Sequence, residues 1–177
     1  MRAARQSGFT LIELIIGLAI AALLVTLALP GYTTWVADSQ IRAGAESLGS
    51  GLRYAKQQAI LRNEPVRLVL DPTTGTGGWQ VQRDSDGLVL QAGVFQESAS
   101  RASFTVAPVG ATTVTYTALG MVMNPNTDLS APMTSVRVQI PSARELDVVF
   151  GGVGGSGVKI CDPSASLPAN DSRACPS

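Results

Sequence analysis

Histidine is absent from all 177 residues, lysine occurs only at Lys56 and Lys159, cysteine only at Cys161 and Cys175, and aromatic residues make up 5%. Without imidazole there is no Ser-His-Asp or Cys-His nucleophile, no histidine-based zinc site and no imidazole proton shuttle. No pair of the remaining acids, hydroxyls and amines has a sequence context that marks a catalytic site, so the expectation is a non-enzyme without cofactor or metal. An excess of either charge is lacking too: 13 Lys+Arg balance 13 Asp+Glu. A neutral chain gives no general support for phosphate neutralisation and hence for generic nucleic-acid binding. The length corresponds to one modest domain.

The informative residues are concentrated at the start of the chain. Met1–Gly8 reads MRAARQSG, with two arginines and no acid, and the 21 residues from Phe9 to Leu29 include only Thr10, Glu13 and Thr26 as polar members. As a helix that run would be about 30 Å long, enough to cross a bilayer. The positive-inside rule would hold Arg2 and Arg5 in the cytoplasm and send the rest across. A secretory signal would have a shorter apolar core and a small-residue cleavage site after it; Ala28-Leu29-Pro30-Gly31 offers no good A-x-A pattern. A single-pass anchor is the stronger plain reading.

Neither accounts for Glu13. An ionisable group costs at least about 2.5–3.5 kcal/mol near the bilayer centre and points to function by default. Thr10-Leu11-Ile12-Glu13 also matches the S/T-x-x-E capping box, in which the acid serves the helix start. The residues alone leave cap and function open.

Gly8-Phe9-Thr10-Leu11-Ile12-Glu13-Leu14 behind a short basic leader resembles the class III signal of type IV pilins and type II secretion pseudopilins. The resemblance implies cleavage by prepilin peptidase between Gly8 and Phe9, methylation of the new amino terminus at Phe9, and pairing of Glu13 with the terminal amine of a neighbouring subunit during assembly. It also implies a helix bend at Pro30. The physics is compatible: a carboxylate in hydrocarbon gains much more from a cationic partner than it does in water, and a glycine before the cut leaves the backbone open to a protease.

Beyond Pro30, Ile41, Ala45, Leu48, Leu52, Ala55 and Ala59 recur at spacings of four and three, with Arg42, Glu46, Arg53 and Lys56 elsewhere. This periodicity predicts an amphipathic helix from about Tyr32 to Arg62, stopped by Asn63 and Glu64-Pro65. A coiled-coil seam is the alternative, but the alanines suit close packing on a sheet. Short β-like runs come next, at Val66–Leu70, Trp79–Arg83, Leu88–Phe95, Ser103–Val106, Thr112–Thr117, Ser135–Ile140 and Glu145–Phe150, separated by Gly, Pro, Asn and Asp clusters. They predict an antiparallel β region rather than a βαβ series.

The expected fold is therefore α+β: a long N-terminal helix packed on an antiparallel β-domain, which is also the pilin architecture. The expected organisation is a leader over 1–8, a transmembrane helix over 9–29, an amphipathic helix over 30–63 and a periplasmic β-domain over 64–177. Within the superfamily the chain resembles the FimT/GspH group of minor pilins and pseudopilins, through the helix end at residues 52–63, the Gly78-Trp79-Gln80-Val81 strand leading to Asp84, and the glycine-rich approach to residues 158–163.

Cys161 and Cys175 enclose 13 residues rich in Pro, Ser, Ala and Asp. On the far side of the membrane a disulfide is favoured, worth roughly 3 kcal/mol for a loop of that size. Gly151–Gly157 lacks the Gly-Lys-Ser/Thr ending of a phosphate loop and reads as a turn. Asp84-Ser85-Asp86-Gly87 begins like a calcium loop, then stops supplying acids, and reads as an Asp-Gly turn.

The resemblance implies a structural role: a minor pilin of a bacterial type IV pilus that helps to initiate assembly. Its partners would be prepilin peptidase, other minor and major pilins or pseudopilins, and the inner membrane. A minor pseudopilin of a type II secretion system is the near alternative. A second alternative is DNA binding during transformation, for which some FimT-like pilins use a C-terminal Gly-Arg-x-Arg stretch. Here Gly157-Val158-Lys159 supplies one basic residue, and contact would rest on Lys159 and Arg173, with Arg144 converging on them.

Overall fold

Asn63 ends the first helix by taking the left-handed conformation, φ 53°. Its N–H donates to the Ile60 carbonyl and the Glu64 N–H to the Ala59 carbonyl, the paired bonds that satisfy the last carbonyls of a helix. This helix, α1, spans Leu11–Arg62, 52 residues. The computed structural model describes residues 10–141, 143–151, 157–164, 168 and 171–176. Helical backbone continues through Pro30 without a break.

The chain divides into a first unit ending at Val36 and a second beginning at Ala37. In the first, the apolar side chains from Leu11 to Leu27 described for α1 are exposed, and this is a helix long and apolar enough to cross a membrane. In the second, the expected stripe is buried at every position: Ile41, Ala45, Leu48, Leu52, Ala55 and Ala59. Fully burying a leucine of this kind is worth about 1.5–3 kcal/mol.

The stripe packs on two four-stranded antiparallel sheets. One has the order β3-β2-β1-β5, from Val89–Val94, Gly78–Arg83, Val66–Asp71 and Thr113–Tyr116. The other has the order β4-β6-β7-β8, from Ser103–Ala107, Ser135–Gln139, Leu146–Phe150 and Val158–Cys161. Register places Val66 opposite Tyr116, Leu68 opposite both Val81 and Val114, and Leu70 opposite Trp79, so these buried side chains share one face. In the second sheet Phe104 lies opposite Val138 and Val136 opposite Val148, again buried.

The α+β expectation holds, and its seven strand segments are present with ends shifted by a residue or so. Two elements were not expected. Phe95 leaves the strand for a one-turn helix, α2, Phe95–Ser98, which turns its buried ring onto Phe104 with centroids 3.8 Å apart. The eighth strand, β8, pairs with β7 although its run Val158-Lys159-Ile160-Cys161 is only four residues long.

Candidate functional site

The first turn of α1 carries half of the capping box. The Glu13 N–H donates to Thr10 Oγ1 at 3.3 Å, while the Glu13 carboxylate accepts no hydrogen bond from any described residue and is exposed. Thr10 thus caps the helix, as its sequence position suggests. Gly8 and Phe9 lie outside the described residues. Further along, Tyr32 and Trp35 are both exposed, with ring centroids 6.2 Å apart.

At the other end of the chain, Cys161 and Cys175 form the expected disulfide across a separation of 14. The loop it closes is pinned again next to the bond, where the Asp162 N–H donates to the Arg173 carbonyl at 2.7 Å. Lys159 Nζ donates to the Ala174 carbonyl at 2.8 Å, and the Arg173 guanidinium donates through Nε and Nη2 to both oxygens of Asp171, at 3.1 and 2.7 Å. Bonded first by the Arg173 side chain and then by the Arg173 backbone N–H, the Asp171 carboxyl is pulled down to about 2.

The structure therefore brings Lys159 and Arg173 onto one tail but engages both in bonds within it. Arg144 is on a different element, where its backbone N–H donates to the Asp38 carboxylate of α1. Lys159 also stands three residues after Ser156, a Ser-x-x-Lys spacing. Ser156 is outside the described residues.

The Asp84–Gly87 segment is a turn. Gly87 takes φ 71°, the Leu88 N–H donates to the Asp86 carboxylate, Arg83 pairs with Asp86, and Asp84 accepts from Thr127 Oγ1 while pairing with Arg67. The acids of a calcium loop are thereby bonded to protein groups, and no cluster of three or more metal-ligating side chains occurs among the described residues. Asn126 was not singled out from sequence. It is buried, accepts from the Thr115 N–H through Oδ1 at 3.0 Å and donates to the Thr113 carbonyl and Ser130 Oγ, so it caps the outer edge of β5. Nothing in a single Asn within a polar loop distinguishes it beforehand.

A family model described as Type II transport protein GspH matches residues 44–163, which take in the buried stripe of α1 from Ala45 to Ala59 and both sheets. The chain belongs to the GspH family. A second model, the prokaryotic N-terminal methylation motif, matches residues 3–29, and together they make this chain a member of the type IV pilin and pseudopilin superfamily.

Among solved structures, the chain resembles the type IV minor pilin FimU of Pseudomonas aeruginosa, with a TM-score of 0.52 at 17% identity over 72% of this chain and 92% of FimU. At that identity the likeness concerns the fold: a long helix on antiparallel sheets. Among curated sequences it is 39% identical over 75 residues to a fimbrial protein of Dichelobacter nodosus, covering 42% of this chain and 46% of that one. It is 38% identical over 73 residues to the type IV major fimbrial protein FimA of the same organism, covering 41% and 45%. The chain thus spans less than half the length of these curated relatives.

Proposed function

We propose that this member of the GspH family is a minor pilin of a bacterial type IV pilus, a structural subunit rather than an enzyme, that helps to prime filament assembly. The observation that carries this reading is the presence in one chain of the N-terminal methylation motif over 3–29 and the GspH match over 44–163. In this reading prepilin peptidase removes residues 1–8 between Gly8 and Phe9, and Phe9 becomes the methylated amino terminus. Residues 9–29 hold the chain in the inner membrane, with the leader cytoplasmic and the β-domain periplasmic, until other pilins take it into the filament; Pro30 lets the helix bend on the way.

Glu13 is the assembly residue in this scheme. Its carboxylate has no hydrogen-bonding partner among the described residues of its own chain. The terminal amine of a neighbour would supply the missing cation, in surroundings where such a pair is stronger than in water.

The description of the family as a type II transport protein favours a second reading, a minor pseudopilin of a type II secretion system that uses the same helix and leader. DNA binding has less to draw on, since Lys159 and Arg173 are already bonded within the tail.

Intact-mass and N-terminal analysis of membrane-extracted protein, with and without prepilin peptidase, tests the first step. A chain beginning with methylated Phe9, whose incorporation into sheared filaments is lost in Glu13→Ala, is the expected result. An uncleaved chain that retains Met1–Gly8 in the presence of the peptidase would overturn it. Deletion strains separate the two machines: loss of pili supports the pilus, and loss of protein secretion with normal pili supports the pseudopilus.

A further inference from the structure

Tyr32 and Trp35 lie three positions apart on α1, just after the apolar run ends at Leu29, and they leave 63% and 65% of their surfaces uncovered with ring centroids 6.2 Å apart. No charged residue occurs between Glu13 and Asp38, so both rings fall after the apolar run and before the next charge along the chain. Each has an apolar body and one polar tip, the phenolic hydroxyl or the indole N–H. Side chains of that kind collect where hydrocarbon meets headgroups.

We propose that Tyr32 and Trp35 form an aromatic anchor that seats in the lipid headgroup layer on the β-domain side of the bilayer and sets the depth of the helix before assembly. This rests on the reading of residues 9–29 as a membrane span. Tyr32 stands 19 positions after Glu13, a rise of about 29 Å along a helix, against a hydrocarbon core about 30 Å thick. A tilt of about 20° shortens that rise to roughly 27 Å. With Tyr32 at one boundary of the hydrocarbon, Glu13 is at the other, where an acid costs far less than at the bilayer centre. The anchor thereby fixes the height at which Glu13 is presented to an incoming subunit.

Bromine quenching of tryptophan fluorescence tests this on the full-length chain in phosphatidylcholine vesicles whose acyl chains carry bromine either near the carbonyl end or near the methyl end. Trp79, the other tryptophan, is 4% exposed in the core, so the emission missing from Trp35→Phe belongs to Trp35. The expected result is loss of that emission with the shallow bromines and its retention with the deep ones. Tyr32→Trp in the Trp35→Phe background should repeat the pattern at the second ring. Equal or stronger quenching by the deep bromines overturns the proposal. So does the absence of quenching in a chain that floats with the vesicles, which would mean that water or a second copy covers the rings. A chain that does not float at all instead overturns the membrane-span reading, and the anchor with it.

Discussion

The indole Nε1 of Trp79 on β2 donates a 3.1 Å hydrogen bond to Ser47 Oγ on α1, joining helix and sheet across 32 residues of sequence. The same ring leaves no room for a side chain at Gly51 on the helix or at Gly93 on β3: a Cβ there would lie 2.8 or 2.6 Å from its atoms. Helix, central strand and edge strand are thus spaced around one large, hydrogen-bonded ring.

Gly51→Ala and Gly93→Ala should each destabilise the soluble domain by about 1–3 kcal/mol through overpacking. Gly49→Ala, on the same helix, meets only Ile160 and the flexible end of Arg53 at ordinary contact, 3.5 Å, and should be neutral or stabilising by up to about 1 kcal/mol through helix propensity. Thermal melts of the three variants check the contrast; an equal loss at all three positions would show that the ring does not set the spacing.

Tyr116 is buried and its hydroxyl has no hydrogen-bond partner among the described residues, while burial pushes the phenol up in pKa. Removing an unpaired buried polar group relieves a desolvation penalty, so Tyr116→Phe should raise stability by roughly 1 kcal/mol. Chemical denaturation measures it, and a loss of stability would reveal a partner for the hydroxyl.

Cutting the Cys161–Cys175 link by serine substitution at both positions should cost about 3 kcal/mol for a loop of this size, through the freedom returned to the denatured chain. Reduction of the native protein should lower the melting temperature as much as the double substitution does. The strands β1–β7 should keep their far-ultraviolet signal, because none of them lies within the segment that the disulfide closes.

Asp171 titrates at about 2, chiefly because the Arg173 side chain bonds to it. A carboxyl lowered in the folded state contributes stability that is present above its ordinary value near 3.8 and is lost as pH falls towards 2. Its contribution to stability should therefore be complete at pH 5 and fall away between about pH 4 and 2, while the Asp171–Arg173 bond in the folded tail reaches half-release only near pH 2. Carboxyl chemical shifts followed by NMR read this directly. Asp171→Asn should remove the low-pH step and leave the Arg173 guanidinium free to move at neutral pH.

Much of this protein was legible along the chain because its decisive patterns are local. The all-round apolar run, the one-sided stripe from Ile41 to Ala59 and the Asn63 stop depend on neighbours within a few turns, where backbone geometry and solvation act directly. The Thr10 cap and the Asp-Gly turn at residues 86–87 are local in the same sense. The two cysteines, alone in their kind, had only each other.

Other features needed the fold. Leu88–Phe95 reads as one strand until Phe104, nine residues later, offers a ring to stack on and Phe95 turns inward into α2. The short run at β8 becomes a strand because β7 presents an edge to it. Lys159 looks like a free cation in sequence, but the disulfide brings it beside the Ala174 carbonyl, whereas Arg173 is taken up by Asp171 only two residues away. The sequence by itself determined the helix, its apolar half, the β character of the chain beyond Asn63 and the family. Tertiary structure decided the strand order, the hub at Asn126, the ring between Gly51 and Gly93, and which charges stay open, because contacts between distant residues depend on loop closure and side-chain shape rather than on local pattern.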